Sequence, residues 1–339
     1  MKVARFFRGA RNAFPAAGLI CAAALFYALF PADLARAQQG LAVYRVRPSF
    51  YLISGAGANI GVQIGPDGVV LADSGTREAS AAVLAEIRKL TDQYIKYILN
   101  TSADPDAAGG NGAIAKAGQS IFAGVAGPRS DFVKAMTGGA ASILAHENVL
   151  IRMSAPDGKT PPFPSDCWPT EAFSTGRKYI YFNHEGIEVL HQPAAHTDGD
   201  SFIFFRASDV VMVGNVLDTT RFPVIDLEKG GSIQGEIDAL NRLIAVAIPP
   251  VPFIFSEGGT LVIPGHGRIY DQADVVEYRD MIVIIRDVVQ DLKDRGMTLD
   301  QVQAANPTLP YERQYGAKSG SWTTADFIGA VYKSLPAKK

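Results

Sequence analysis

Three short segments hold the side chains with chemical promise. The first is a polar run, Asn100-Thr101-Ser102-Ala103-Asp104-Pro105-Asp106-Ala107-Ala108-Gly109-Gly110-Asn111, with two carboxylates two residues apart. The second, His196-Thr197-Asp198-Gly199-Asp200, stands directly ahead of an apolar run. The third, Pro264-Gly265-His266-Gly267, directly follows one. Imidazole and carboxylate are the side-chain groups that bind zinc, manganese or iron and that move protons near neutral pH. The supply of such groups is narrow: 339 residues contain five histidines and two cysteines. Two cysteines exclude a disulfide-rich scaffold and a four-thiolate zinc site. The 32 Lys+Arg against 34 Asp+Glu, with 47% hydrophobic residues, exclude a disordered charged tail and give no support to nucleic-acid binding.

The elements that must position these segments are legible as alternating strands and helices. Apolar runs at 50–53, 59–64 and 69–72, the last two separated by Pro66-Asp67-Gly68, predict strands around a hairpin turn. Ala79, Val83, Ile87 and Leu90 fall on one helical stripe of 77–91. Further strands are predicted at 97–99, 120–123, 178–182, 187–190, 201–205, 210–213 and 261–263. Helices are predicted at about 109–116, 231–247, 273–294, 298–304 and 323–334. Residues 155–170 and 248–259 are expected as loops. Two strand-rich halves, 42–135 and 178–267, with helices interspersed suggest two packed sheets with helices outside.

The three segments, in this order, resemble the ligand motifs of the metallo-β-lactamase superfamily. Its His-x-His-x-Asp-His motif is usually preceded by Asn-Thr and followed by Gly-Gly-Asn, and Asn100-Thr101 and Gly109-Gly110-Asn111 keep that frame. His196-Thr197-Asp198-Gly199-Asp200 is similar to the third-histidine motif, and Ile263-Pro264-Gly265-His266-Gly267 to the last-histidine motif. Asp73, at a strand end, matches another family position, and Gly214-Asn215 stands where the family carries Gly-Asp. The resemblance spans about residues 42–295. It implies the αββα sandwich of that fold in one domain, 38–339, with a C-terminal helical extension.

The resemblance also implies a changed centre. Ser102 and Asp104 stand in place of the first two histidines, Ala107 replaces the fourth motif residue, and Asn215 replaces the bridging aspartate. Asp106, His196 and His266 are kept. The family's two ions polarise a substrate oxygen and turn water into hydroxide near neutral pH. What remains here implies at most one divalent ion, zinc, manganese or iron, on Asp104, Asp106, His196 and His266, with Asp106 also orienting the attacking water. A carboxylate at the position of Asp104 has a parallel in the related flavodiiron proteins. The implied function is a hydrolase acting on a small molecule such as a lactam, lactone or other ester. The alternative is a non-catalytic binding or partner protein that has lost its metal.

Blander roles stand beside each residue. Asp106 fits an N-cap of a helix from Ala107 and Asp104 a turn residue before Pro105. His196 and His266 fit loop hydrogen-bonding roles. Ser102 as a nucleophile would need a base such as His196 or His266, and no Gly-x-Ser-x-Gly elbow surrounds it. His146 is expected on an exposed or half-buried helix, His184 in a turn and His191 near the pocket. Cys167 is expected as an incidental thiol in a Pro-rich loop, with Trp168 and Phe173 as lid candidates.

The first 37 residues have the three-part layout of a secretory leader: Lys2, Arg5, Arg8 and Arg11, then an apolar stretch from about Ala16 to Phe30, then Ala35-x-Ala37. Cleavage before Gln38 would leave 302 residues with 27 basic and 33 acidic side chains, and Cys167 as the one cysteine. The expectation is a secreted or periplasmic protein with no membrane span after cleavage.

Overall fold

The structure is a computed structural model, and it describes residues 40–123, 127, 139–155, 158–251 and 258–336. The predicted leader lies outside the described residues. Leu41–Lys339 forms one compact unit.

In chain order the elements begin with β1 (Ala42–Arg47), β2 (Phe50–Ser54), β3 (Ile60–Gly65) and β4 (Gly68–Ala72). Next come α1 (Ser80–Leu90), β5 (Ile95–Leu99), the single turn α2 (Pro105–Ala108), α3 (Asn111–Ala117), β6 (Ser142–His146) and α4 (Glu147–Ser154). Then follow β7 (Glu171–Phe173), β8 (Arg177–Phe182), β9 (Glu185–Gln192), β10 (Asp200–Phe205) and β11 (Val210–Asp218). The chain continues with α5 (Ile233–Val246), β12 (Leu261–His266), α6 (Gln272–Asp294), α7 (Leu299–Ala305), α8 (Glu312–Tyr315) and α9 (Thr324–Ser334).

Among the described residues the strands form a seven-stranded sheet in the order β1 to β7 and a five-stranded sheet in the order β12-β11-β10-β9-β8. The first sheet is antiparallel through β4 and parallel from β4 to β7; in the second, β11 and β12 pair in parallel. Side chains alternate across each strand, so each sheet has two apolar faces to cover. Val70 and Ala72 of β4 meet Ile203 and Phe205 of β10 in the cluster between the sheets. Val69 and Leu71 of β4 face the other way, onto Val83 and Ile87 of α1 and Ile114 of α3. Phe202 and Phe204 of β10 face Ile237 and Leu240 of α5 and Ile282 and Ile285 of α6. This is the expected αββα sandwich. The C-terminal helices are integral to it: Val302, Phe327, Ile328 and Val331 complete the outer cluster on the second sheet.

Three local expectations are corrected. Residues 120–123 are not a strand: after Ser120 the chain turns, with Ala123 N–H donating to Ser120 O. Three further strands, β1, β6 and β7, extend the first sheet. His146 is not on an exposed helix. It ends β6, is buried, and its Nδ1 accepts from the Asn148 N–H at the start of α4.

Candidate functional site

The three segments converge at the strand ends, held by a frame of buried polar side chains. Asp73 follows β4 in a left-handed conformation (φ 63°). Its carboxylate accepts from Thr101 N–H (2.8 Å) and Thr101 Oγ1 (2.7 Å), fixing the start of the 101–106 loop. Burial pushes Asp73 up to about 7 even against those two hydrogen bonds. Asn100 and Asn111 exchange side-chain amide bonds of 3.1 and 2.8 Å, and Asn111 also donates to Cys167 O. Asp200 holds the second segment by accepting from Thr197 N–H and Oγ1. Gly214, at φ 54°, packs its Cα against Thr101, where a Cβ would collide with the hydroxyl.

Inside the frame lie two histidine–carboxylate pairs. His196 Nδ1 lies 2.6 Å from Val224 O; a carbonyl only accepts, so this nitrogen carries a proton. Its Nε2 lies 2.9 Å from Asp104 Oδ2. The same Asp104 oxygen accepts from Ser102 Oγ (2.8 Å) and Asn215 Nδ2 (3.0 Å), and Lys229 Nζ stands 3.8 Å from the other. Burial alone would raise Asp104, but the hydrogen bond and charge of His196 outweigh it and hold the carboxyl below its ordinary range. Burial alone would lower His196, and the Asp104 bond and charge outweigh it, raising the imidazole to about 10. The pair is therefore imidazolium and carboxylate. The second pair is His266 Nε2 to Asp106 Oδ2, 2.7 Å. Asn215 Nδ2 links the pairs, reaching Asp106 Oδ1 at 3.5 Å, the weak limit of a hydrogen bond. Gly265 leaves room for Asn215, whose Oδ1 sits where a Cβ would stand and has no hydrogen-bond partner among the described residues.

No protein-family model matches the sequence, and neither does any curated protein. Solved structures do match. The stereoselective inverting sec-alkylsulfatase Pisa1 from Pseudomonas sp. is 16% identical with a TM-score of 0.59, covering 88% of this chain and 51% of that one. A double mutant of the sec-alkylsulfatase PisA1 aligns with a TM-score of 0.60 at 15% identity. This chain spans about half the length of those sulfatases. A metallo-β-lactamase from Pontibacter korlensis, 15% identical, aligns over 72% of this chain and 99% of its own with a TM-score of 0.50. The chain has the metallo-β-lactamase fold.

The four residues that the fold's motifs imply as metal ligands, Asp104, Asp106, His196 and His266, are side by side. Their arrangement does not fit a resident ion. Each histidine Nε2 faces a carboxylate of the same set, and Asn215 presents to both carboxylates an N–H with no lone pair for a metal. Turning that amide over would set its oxygen against two carboxylates. Among the described residues no group of three or more His, Cys, Asp or Glu side chains is arranged to hold a metal ion. Positive charge beside Asp104 comes instead from His196 and Lys229.

The remaining candidates are also placed. Asp104, not Asp106, occupies the cap position of α2, and its side chain makes no cap bond; Asp106 lies in the first turn. Ser102 is 1% exposed and donates to Asp104, so it is not presented as a nucleophile. His191 stacks on His146 (centroids 3.5 Å, 5°), and its Nε2 donates to Asp198 O. Burial, then the neighbouring His191, lowers His146 to about 4. Cys167 is buried against Gly109 O. Phe173 is in the core and Trp168 packs beside Phe163 and Cys167, so neither forms a lid. Lys229 and the Val224 carbonyl were not expected, since nothing in the spacing of a Glu-Lys-Gly-Gly loop marks them.

Proposed function

We propose that this chain binds a small molecule at the mouth of the fold's ligand centre and holds that centre together without a metal ion. The carrying observation is that the two kept histidines are satisfied by the two neighbouring carboxylates, with Asn215 between them. Asp106, His266 and Lys229 are each partly exposed and offer a carboxylate, an imidazole and an ammonium to a ligand. The lost ligand positions agree with this reading. The intact frame of Asp73, Thr101, Asn100 and Asn111 then serves the fold rather than a reaction.

The test is metal content after chelation and reloading with zinc, manganese or iron, expected to stay below about 0.1 equivalent. One equivalent that falls on His266→Ala or Asp106→Ala substitution would replace this reading by a second one. That second reading is a hydrolase with a single divalent ion, and it rests on the four candidate ligands standing side by side. A thermal-shift series with a β-lactam, a lactone, a thioester, an alkyl phosphate and an alkyl sulfate separates the readings further. A stabilising compound recovered unchanged supports binding; one consumed only with metal supports the hydrolase.

The leader adds a location to the proposal, secreted or periplasmic. Protein recovered from the periplasm or medium should begin at Gln38. Among the described residues no helix is long and apolar enough to cross a membrane.

A further inference from the structure

A second concavity lies where the 224–228 segment meets α7 and α9. It is a cleft of about 520 Å³, within the size range of small-molecule sites. Leu227, Leu299 and Trp322 give it an apolar wall, and Ala325 and Gly329 keep its α9 side shallow. A Cβ built on Gly329 would meet only Leu299 Cδ2, at 3.9 Å, so the small residue there leaves open space.

The polar lining is unbalanced. Asp226, Glu228 and Asp326 stand against Lys333. Asp226 is paired with Lys229 at 2.9 Å, outside the lining, which leaves one net negative charge. Asp326 accepts from Thr323 through Oδ2, and Glu228 is exposed, its side chain without a hydrogen bond among the described residues. An apolar wall with a single uncompensated carboxylate suits a singly charged organic cation with an apolar body; an aromatic wall residue adds to such recognition. We propose that this cleft is a binding site for a small organic ammonium compound, separate from the histidine–carboxylate centre. The two are neighbours through the chain: Val224 O accepts from His196 Nδ1, and Asp226 N–H donates to His196 O at 2.9 Å.

Isothermal titration with benzyltrimethylammonium tests this, with benzyl alcohol and benzoate as neutral and anionic analogues. The cation is expected to bind one to one with a Kd below about 1 mM. Benzoate is expected to show no binding. Glu228→Gln should weaken the cation about threefold to fivefold, the effect of removing one exposed charge partner. Ala325→Trp, at an exposed position of α9, should fill the cleft and weaken it at least about tenfold, with far-UV circular dichroism confirming the fold. His266→Ala should leave the affinity unchanged, which separates this site from the centre. Absence of heat up to about 10 mM cation, equal binding of benzoate, or full affinity in Ala325→Trp overturns the proposal.

Discussion

The two histidine–carboxylate pairs have the same residue types and nearly the same distance, 2.9 Å for His196–Asp104 and 2.7 Å for His266–Asp106. Their surroundings differ. The side chains of the first are 6% and 12% exposed, those of the second 23% and 30%. The first carboxylate accepts from a hydroxyl and an amide besides the imidazole, while the second has one weak amide contact. A buried ion pair is costly to leave half-made, because the surviving charge has no water to return to. An exposed pair is screened and loses little. The inner pair is thus a structural fastening, and the outer one is the part that can exchange its partner for a ligand.

Removing Asp104 should break this comparison most visibly. Asp104→Ala should cost about 3–5 kcal/mol by leaving His196 buried and unpaired, measured by urea unfolding. The pH profile follows the same pair. His196 is raised in the folded state above its unfolded value, so its contribution is complete below about pH 6.5 and is lost as pH rises toward about 10. Asp104 is depressed, so its contribution is complete above about pH 4 and is lost progressively as pH falls from there toward the folded carboxyl's lower value. Stability should therefore fall from pH 7 to 10, and that slope should flatten in Asp104→Ala. A slope unchanged in the variant would move the imidazolium elsewhere.

Smaller effects sharpen the contrast. Asn215→Asp sets a third carboxylate between the pairs and should cost about 1–2 kcal/mol at neutral pH, shrinking as the pH is lowered. Asp106→Ala should cost less than about 1 kcal/mol by the same unfolding measurement. An Asp106→Ala cost equal to that of Asp104→Ala would erase the distinction between the two pairs.

The sheets were legible because both faces of β4 and β10 are buried, giving continuous apolar runs such as Gly68–Ala72 and Phe202–Phe205. β6 was not legible, since Ser142–His146 runs straight into α4 with no turn residue between them. Ser120–Ala123 has the composition of a strand, but after Ser120 N–H donates to Gly139 O the chain turns, and among the described residues it joins neither sheet. At the site, Asp104, Asp106, His196, His266 and Asn215 were legible by their place in the motifs. Their pairing was not, because which donor meets which acceptor depends on side-chain orientation across more than 90 residues of sequence. Glu236, fully buried with neither carboxylate oxygen hydrogen-bonded among the described residues, left no trace in the helical pattern of α5.

The closing of the second sheet by the last helix has a consequence for how the chain comes to be. Leu190 of β9 and Phe202 and Phe204 of β10 share one cluster with Phe327, Val331 and Leu335. During synthesis α5 and α6 can cover part of that face, and the rest stays open until residues past 320 are free to pack. A chain in that state exposes aromatic surface of the kind chaperones hold. Completing this half of the core joins strands at 185–205 to a helix more than 100 residues further along, a pairing of high sequence separation.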